Sequence, residues 1–173
     1  MPRVLLDQTI YTDYGQFSLE WGDESWDGDA DRFFADQDNG WVAAAVPGVV
    51  HLVMARRSGG SSVRVEILTA EPPIDDSWED CVEVSLEVPV GASVRWVTWA
   101  GEHSALLDVS AGSYRLRASA RGRDAGQAGE FEAEVVDFYL LQLWPSPAGQ
   151  RDAVLRVGSA DAAYWHAGWG GRR

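Results

Sequence analysis

The chain contains no lysine, a single cysteine, three histidines and no long uninterrupted apolar run. The one sulfhydryl, Cys81, cannot close a disulfide within the chain and suits a reducing compartment. The longest apolar stretch, 41–55, is broken by Pro47, Gly48 and His51 and falls short of the roughly 20 residues a bilayer span requires. Residues 1–11 hold one arginine and only a short apolar run, so no secretory signal is expected and the default is a soluble cytoplasmic protein. Bases are scarce, 14 against 27 carboxylic residues, for a formal charge of −13. Direct binding of DNA or RNA needs a basic footprint, so nucleic acid is excluded as a ligand. All 14 bases are arginine, a bias with no physical cause, since lysine serves equally well at many exposed sites.

What is abundant is glycine, with 18 residues, and tryptophan, with nine. Glycine between short apolar runs favours turns, and indole rings favour half-buried pleated surfaces. Period-two patterns recur. Phe17, Leu19 and Trp21 alternate with polar neighbours, as do Val63, Val65 and Ile67. Val82, Val84, Leu86 and Val88 alternate with Glu83, Ser85 and Glu87, and Tyr114, Leu116 and Ala118 with Arg115, Arg117 and Ser119. The runs 49–55, 94–99, 135–144 and 153–157 read as strands buried on both faces. Turn signals separate these runs, at Asn39-Gly40, Pro47-Gly48, Gly59-Gly60, Pro72-Pro73 and Ala111-Gly112. The pattern predicts an all-β, single-domain antiparallel β-sandwich of about eight to nine strands over 1–173. Its core spans about 9–158, with 159–173 as an aromatic tail whose last residues, 168–173, fray. One turn of helix fits within 29–34, and 121–129 reads as a mobile hairpin loop.

The negative charge is concentrated. Residues 20–38 hold eight carboxylates against Arg32, and residues 71–87 hold seven and no base. Trp21 and Trp26 punctuate the first stretch and Trp78 the second. Acidic clusters with aromatic anchors suit capture of a basic protein, because charge speeds encounter and a buried ring supplies affinity. The candidate partner-binding residues are Asp75, Asp76, Trp78, Glu79 and Asp80, with Asp23, Glu24, Trp26 and Asp27.

Other chemistry fits less well. Asp27-Gly28-Asp29-Ala30-Asp31 begins like a calcium loop, but Arg32 stands where glycine belongs and Asp38 where a bidentate glutamate belongs. A solvated acidic loop explains it better. His51, His103 and His166 lack metal-ligand spacing, and Ser104 beside His103 points to the opposite face of a strand. Cys81 lies among carboxylates that would raise its pKa, making a poor nucleophile. No catalytic residue, metal or cofactor is expected. Arg115, Arg117, Arg121 and Arg123 form a basic patch that reads as a cross-strand ladder with an acidic neighbour strand. Trp96 and Trp99 face opposite sides of one strand, and Trp144 reads as a cap on the core.

Several elements in order resemble the competence protein J family, inhibitors of the bacterial DNA-entry nuclease. They are Tyr14-Gly15-Gln16-Phe17, then Trp26-Asp27 and the aromatic-rich stretch to Gly40-Trp41, then residues 106–109 running into Ala111-Gly112-Ser113-Tyr114-Arg115-Leu116, and last Asp137-Phe138-Tyr139-Leu140-Leu141. The resemblance covers roughly residues 14–144 and implies a β-sandwich that binds a protein without catalysis of its own. It agrees with the charge argument for an acidic inhibitor or immunity-like partner of a basic enzyme such as a nuclease, present as a monomer or weak homodimer. The alternative is a small-molecule or carbohydrate-binding sandwich that uses exposed tryptophan rings as a stacking platform.

Overall fold

The computed structural model describes residues 1–172. Eleven strands form two sheets, accompanied by three α-helices and a 3-10 turn at Trp99–Gly101. The strands are β1 (Arg3–Thr12), β2 (Gln16–Glu20), β3 (Val42–Ala43), β4 (Val49–Val53), β5 (Gly59–Ile67), β6 (Asp80–Val88), β7 (Val94–Thr98), β8 (Ser104–Leu107), β9 (Gly112–Arg121), β10 (Phe138–Pro145) and β11 (Ala153–Arg156). The helices are α1 (Ala30–Phe33), α2 (Arg123–Ala128) and α3 (Ala160–Trp169).

The larger sheet runs β1-β5-β10-β9-β6-β11 and the smaller β3-β4-β2-β7-β8. All pairings are antiparallel except that of β5 with β10, which is parallel, with Tyr139 opposite Val63 and Leu141 opposite Val65. The fold is therefore mainly β in two sheets, with more strands than the eight or nine expected and one parallel pair. Alternation explains the burial. Val82, Val84, Leu86 and Val88 of β6 and Leu116, Ala118 and Ala120 of β9 point inward, where they meet Phe17, Leu19, Val50 and Leu52 of the other sheet in one hydrophobic cluster.

On the opposite face of β6 and β9, Glu83 lies between Arg115 (Nε to Oε1 3.3 Å) and Arg117 (Nε to Oε2 2.9 Å), the expected ladder. Arg117 also stands 5.2 Å from the Trp144 ring centroid. Trp144 thus lies on this outer face and does not cap the core, because its neighbours Leu141 and Leu143 take the inward positions.

Four expectations change for tertiary reasons. β1 begins at Arg3, well before the expected start of the core, because it pairs along its length with β5. The 121–129 segment is helix α2, not a mobile hairpin. Its glycines have poor helix propensity, but Arg123 is wholly buried, and a Cβ on Gly126 would lie 2.9 Å from the Asp137 carboxylate, so only glycine fits. The aromatic tail is helix α3, capped by the Ser159 hydroxyl, which accepts from Ala162 N at 3.0 Å. Residues 168–173 were expected to fray, but α3 runs to Trp169, Gly170 N donates to the His166 carbonyl at 3.0 Å, Gly171 N donates to the Gln37 carbonyl at 2.7 Å, and Arg172 pairs with Asp31; residue 173 lies outside the described residues. β11 was expected to be buried on both sides. It is an edge strand instead, with Val154 and Leu155 about two-fifths exposed.

Candidate acidic interface and aromatic cavity

The first acidic stretch is a compact loop organised by its own residues. Asp29 is the N-cap of α1, accepting from Arg32 N at 3.2 Å, and Asp27 accepts from Asp29 N at 2.9 Å. These bonds tie the Asp27 and Asp29 carboxylates to the loop's own backbone. Arg32 occupies the centre, with Nη2 2.6 Å from Asp27 and Nη1 3.4 Å from Glu24. The bonds from Asp29 N, and then from Arg32, hold the Asp27 carboxyl below the usual range. Among the described residues, no group of three His, Cys, Asp or Glu is placed to hold a metal ion.

Trp26 was expected to present its ring beside this loop. It turns inward, lying flat on His51 of β4 with centroids 4.3 Å apart and planes 3° off parallel, and edge-on to Phe33 at 5.0 Å. His51 is 2% exposed and shares a 2.8 Å hydrogen bond between Nδ1 and the Ser18 hydroxyl. Burial pushes the imidazole pKa down to about 3, so the ring is neutral.

The second stretch divides into an exposed turn and a buried anchor. Asp75, Asp76 and Glu79 are exposed. Asp75 accepts from Ser77 N at 2.8 Å, and hydrogen bonds from Ser77 lower its carboxyl below the ordinary value. Asp76 pairs with Arg156, whose Nη1 also donates to the Trp78 carbonyl at 2.9 Å. The Trp78 ring is half-buried, with the Arg121 guanidinium 4.9 Å from its centroid.

Asp80 departs from its expected role. It is fully buried, and its Oδ1 accepts from Gly158 N at 2.8 Å and Ser159 N at 3.1 Å, while Oδ2 accepts from the Ser159 hydroxyl at 2.6 Å. Asp80 anchors α3 and is withdrawn from any partner-facing surface. Its neighbour Cys81 is also buried, and burial, more than the adjacent carboxylates, raises the thiol pKa.

One segment accounts for much of the acidic pattern: residues 151–172 bind both stretches. Arg151 pairs with Asp38 at 2.7 Å, and Asp152 accepts from the backbone N–H groups of Asp38 and Asn39. Arg172 pairs with Asp31. On the other stretch Arg156 takes Asp76, and the start of α3 takes Asp80. The expectation of a shared acidic area beside uncovered indoles is corrected accordingly. The stretches meet around the chain's own C-terminal segment, several carboxylates are neutralised there, and both rings are covered. Asp23, Asp36, Asp75 and Glu79 make no ion pair among the described residues, which leaves Asp23, Asp75 and Glu79 of the nine candidates as exposed acids without a salt bridge, although Glu79 accepts from Gly122 N at 3.0 Å and Asp75 from Ser77 N at 2.8 Å.

A second feature was not foreseen as a site. A cavity of about 740 Å³ opens beside β4, lined by Trp26, by His51 and Met54 of the β4 region, and by Tyr164, Trp165 and Trp169 of α3. Its rings contact one another, Trp165 and Trp169 at 4.6 Å and Trp26 and Trp169 at 5.5 Å between centroids. The sequence signal was the density of aromatic residues in 164–169. Without the fold, nothing linked those residues to Trp26, far away in the chain.

These features define a mainly β, two-sheet protein with an acidic exterior, and comparison with known proteins agrees at the level of fold. No family model matches the chain, and no curated protein matches it. Among solved structures it is similar to ComJ from Bacillus subtilis, described as an inhibitor of the DNA degrading activity of NucA. The TM-score is 0.55 at 18% identity, covering 84% of this chain and 99% of that one. It is also similar to a protein described as crocagin biosynthetic gene J, with TM-score 0.53 at 15% identity, covering 85% of this chain and 99% of that one. The resemblance read from the sequence is borne out as a modest structural likeness. Among the described residues, no helix is long and apolar enough to cross a membrane.

Proposed function

We propose that this protein is a non-catalytic, inhibitor-like binding partner of a basic enzyme, with a nuclease as the target its chemistry suits best. The observation that carries the reading is a formal charge of −13 on a fold shared with ComJ, itself described as a nuclease inhibitor. A nuclease presents a cationic groove to the phosphate backbone, and a row of carboxylates can occupy that groove in the substrate's place.

The contact surface in this reading is the turn before β6. Ile74 is 52% exposed there, and Asp75 and Glu79 flank the Arg121-covered Trp78 without ion pairs of their own. Asp23 adds charge, while Glu24 and Asp27 contribute less because Arg32 already screens them. The protein works in the cytoplasm as a β-sandwich, as a monomer or weak homodimer. The test is capture from a cell extract on the immobilised full chain at low salt, followed by a rising salt gradient. The reading predicts a basic nuclease that elutes as salt rises, because its encounter is steered by charge. Retention of no basic protein would reject it.

A further inference from the structure

The aromatic cavity has a composition that an inhibitor surface does not need. None of its lining residues belongs to the Asp75–Glu79 turn. The floor is apolar, made by Val53, Met54 and Ala55 beside the neutral His51, and Trp26, Trp165 and Trp169 form a continuous set of rings along one wall. The volume of about 740 Å³ falls in the range of pockets that enclose small molecules. At its lining, Tyr14 and Tyr164 are 54% and 68% exposed, unusually open for large rings that lie against a cavity.

The charged groups of the lining narrow the ligand class. Four are present: Arg57, Asp124, Glu130 and Asp161. Asp161 is committed to Arg123, with Oδ2 2.7 Å from Nη2. Asp124 is committed to the start of α3, accepting from Ala160 N at 3.1 Å and Asp161 N at 2.9 Å. The remaining pair is one carboxylate, the half-buried Glu130, and one guanidinium, the exposed Arg57, whose carbon lies 5.0 Å from the Tyr14 ring centroid. Neither makes an ion pair among the described residues, so the lining keeps one unneutralised charge of each sign beside a wall of indoles.

We propose that this cavity binds a small aromatic zwitterion of the size class of an aromatic amino acid. Its ring packs against the joined rings of Trp26, Trp165 and Trp169, its ammonium group meets Glu130, and its carboxylate meets Arg57. Aromatic packing supplies the affinity, and the two opposite charges orient the ligand and discriminate against molecules carrying only one of them. This activity is separate from the inhibitor-like role, and either can stand without the other.

The test is calorimetric titration of the full chain with three probes that share an indole ring: L-tryptophan, tryptamine and indole-3-propionate. L-tryptophan should bind in the submillimolar range, and each singly charged analogue should bind about tenfold more weakly. Glu130→Gln should abolish the preference over indole-3-propionate, and Arg57→Gln the preference over tryptamine. Tyr164→Ala should weaken all three probes, and Asp75→Asn should change none. Both charge sites and Tyr164 are at least partly exposed, so circular dichroism and a thermal melt will confirm an intact fold for each variant. Absence of binding at millimolar L-tryptophan, equal affinity for the three probes, or affinities unmoved by all three cavity variants would overturn the proposal.

Discussion

Replacing Asp80 tests most sharply whether the acidic stretches serve the chain itself. The buried carboxylate accepts three hydrogen bonds, from the backbone N–H groups of Gly158 and Ser159 and from the Ser159 hydroxyl. That hydroxyl in turn accepts from Ala162 N as the N-cap of α3. Asp80→Ala leaves three donors facing a void. Bonds to a charged acceptor contribute roughly 1.5–3 kcal/mol each but are not additive, so a total loss of about 3–5 kcal/mol is expected. Asp80→Asn keeps the shape and one acceptor oxygen and should cost about 1–2 kcal/mol. Urea unfolding followed by tryptophan fluorescence is the natural assay, because Trp165 and Trp169 lie on the helix that Asp80 anchors. Asp75→Ala, exposed and one turn away, should leave the midpoint within about 0.5 kcal/mol of wild type. If Asp80→Ala proved as mild as Asp75→Ala, the anchoring argument would be wrong.

Further predictions concern the interior. His51 titrates near its ordinary value when unfolded but is held down to about 3 when folded, so the folded state binds fewer protons between those limits. Its stabilising contribution is complete above about pH 6.5 and falls by about 1.4 kcal/mol per unit as pH drops toward 3. His166, lowered by burial, adds to this slope, whereas Glu20 and Asp161, raised by burial, oppose it. The difference in urea midpoint between pH 7 and pH 5 should therefore shrink in His51→Gln, and an unchanged difference would contradict the assignment. Arg123→Ala strips a wholly buried guanidinium from Asp161 and from the Val53 carbonyl, and should cost about 3–5 kcal/mol. Adding Asp161→Asn to that variant should restore part of the loss, as a double-mutant cycle would record. Gly40→Ala places a methyl 2.0 Å from the Trp165 carbonyl oxygen and 2.8 Å from Gly170 N. It should displace α3, lower stability by about 1–3 kcal/mol and shift the tryptophan emission maximum.

The strands were legible where polar and apolar residues alternate, although the outer face of β6 and β9 proves to be covered, with Glu83, Arg115 and Arg117 all buried. β6 and β9 each write a period-two pattern, and their Glu83, Arg115 and Arg117 even announce the ladder between them. The helices were harder to read. α2 holds Gly126 and is flanked by Gly122 and Gly129, and it exists because Arg123 and Gly126 pack against distant residues, an arrangement that local propensity does not encode. α3 did carry a Ser159 N-cap and a Gly170 C-cap, but its run of aromatic and small residues shows no helical stripe. The acidic stretches were visible at once, whereas their neutralisation was not. Arg172 lies 141 positions from Asp31, Arg151 113 from Asp38, and Arg156 80 from Asp76, separations that only the folded chain closes. The same cause hid the cavity, whose rings come from opposite ends of the sequence.

The central claim is that the carboxylates before β6 that form no salt bridge meet a basic nuclease. The most direct test is a DNA-degradation assay on the captured enzyme, with the wild-type chain or an Asp75→Lys/Glu79→Lys variant added at two salt concentrations. The account predicts that wild type suppresses degradation strongly at low salt and less at high salt, and that the variant suppresses it at least tenfold less well through slower association. Equal suppression by wild type and variant, or degradation that proceeds unchecked by either, would contradict it.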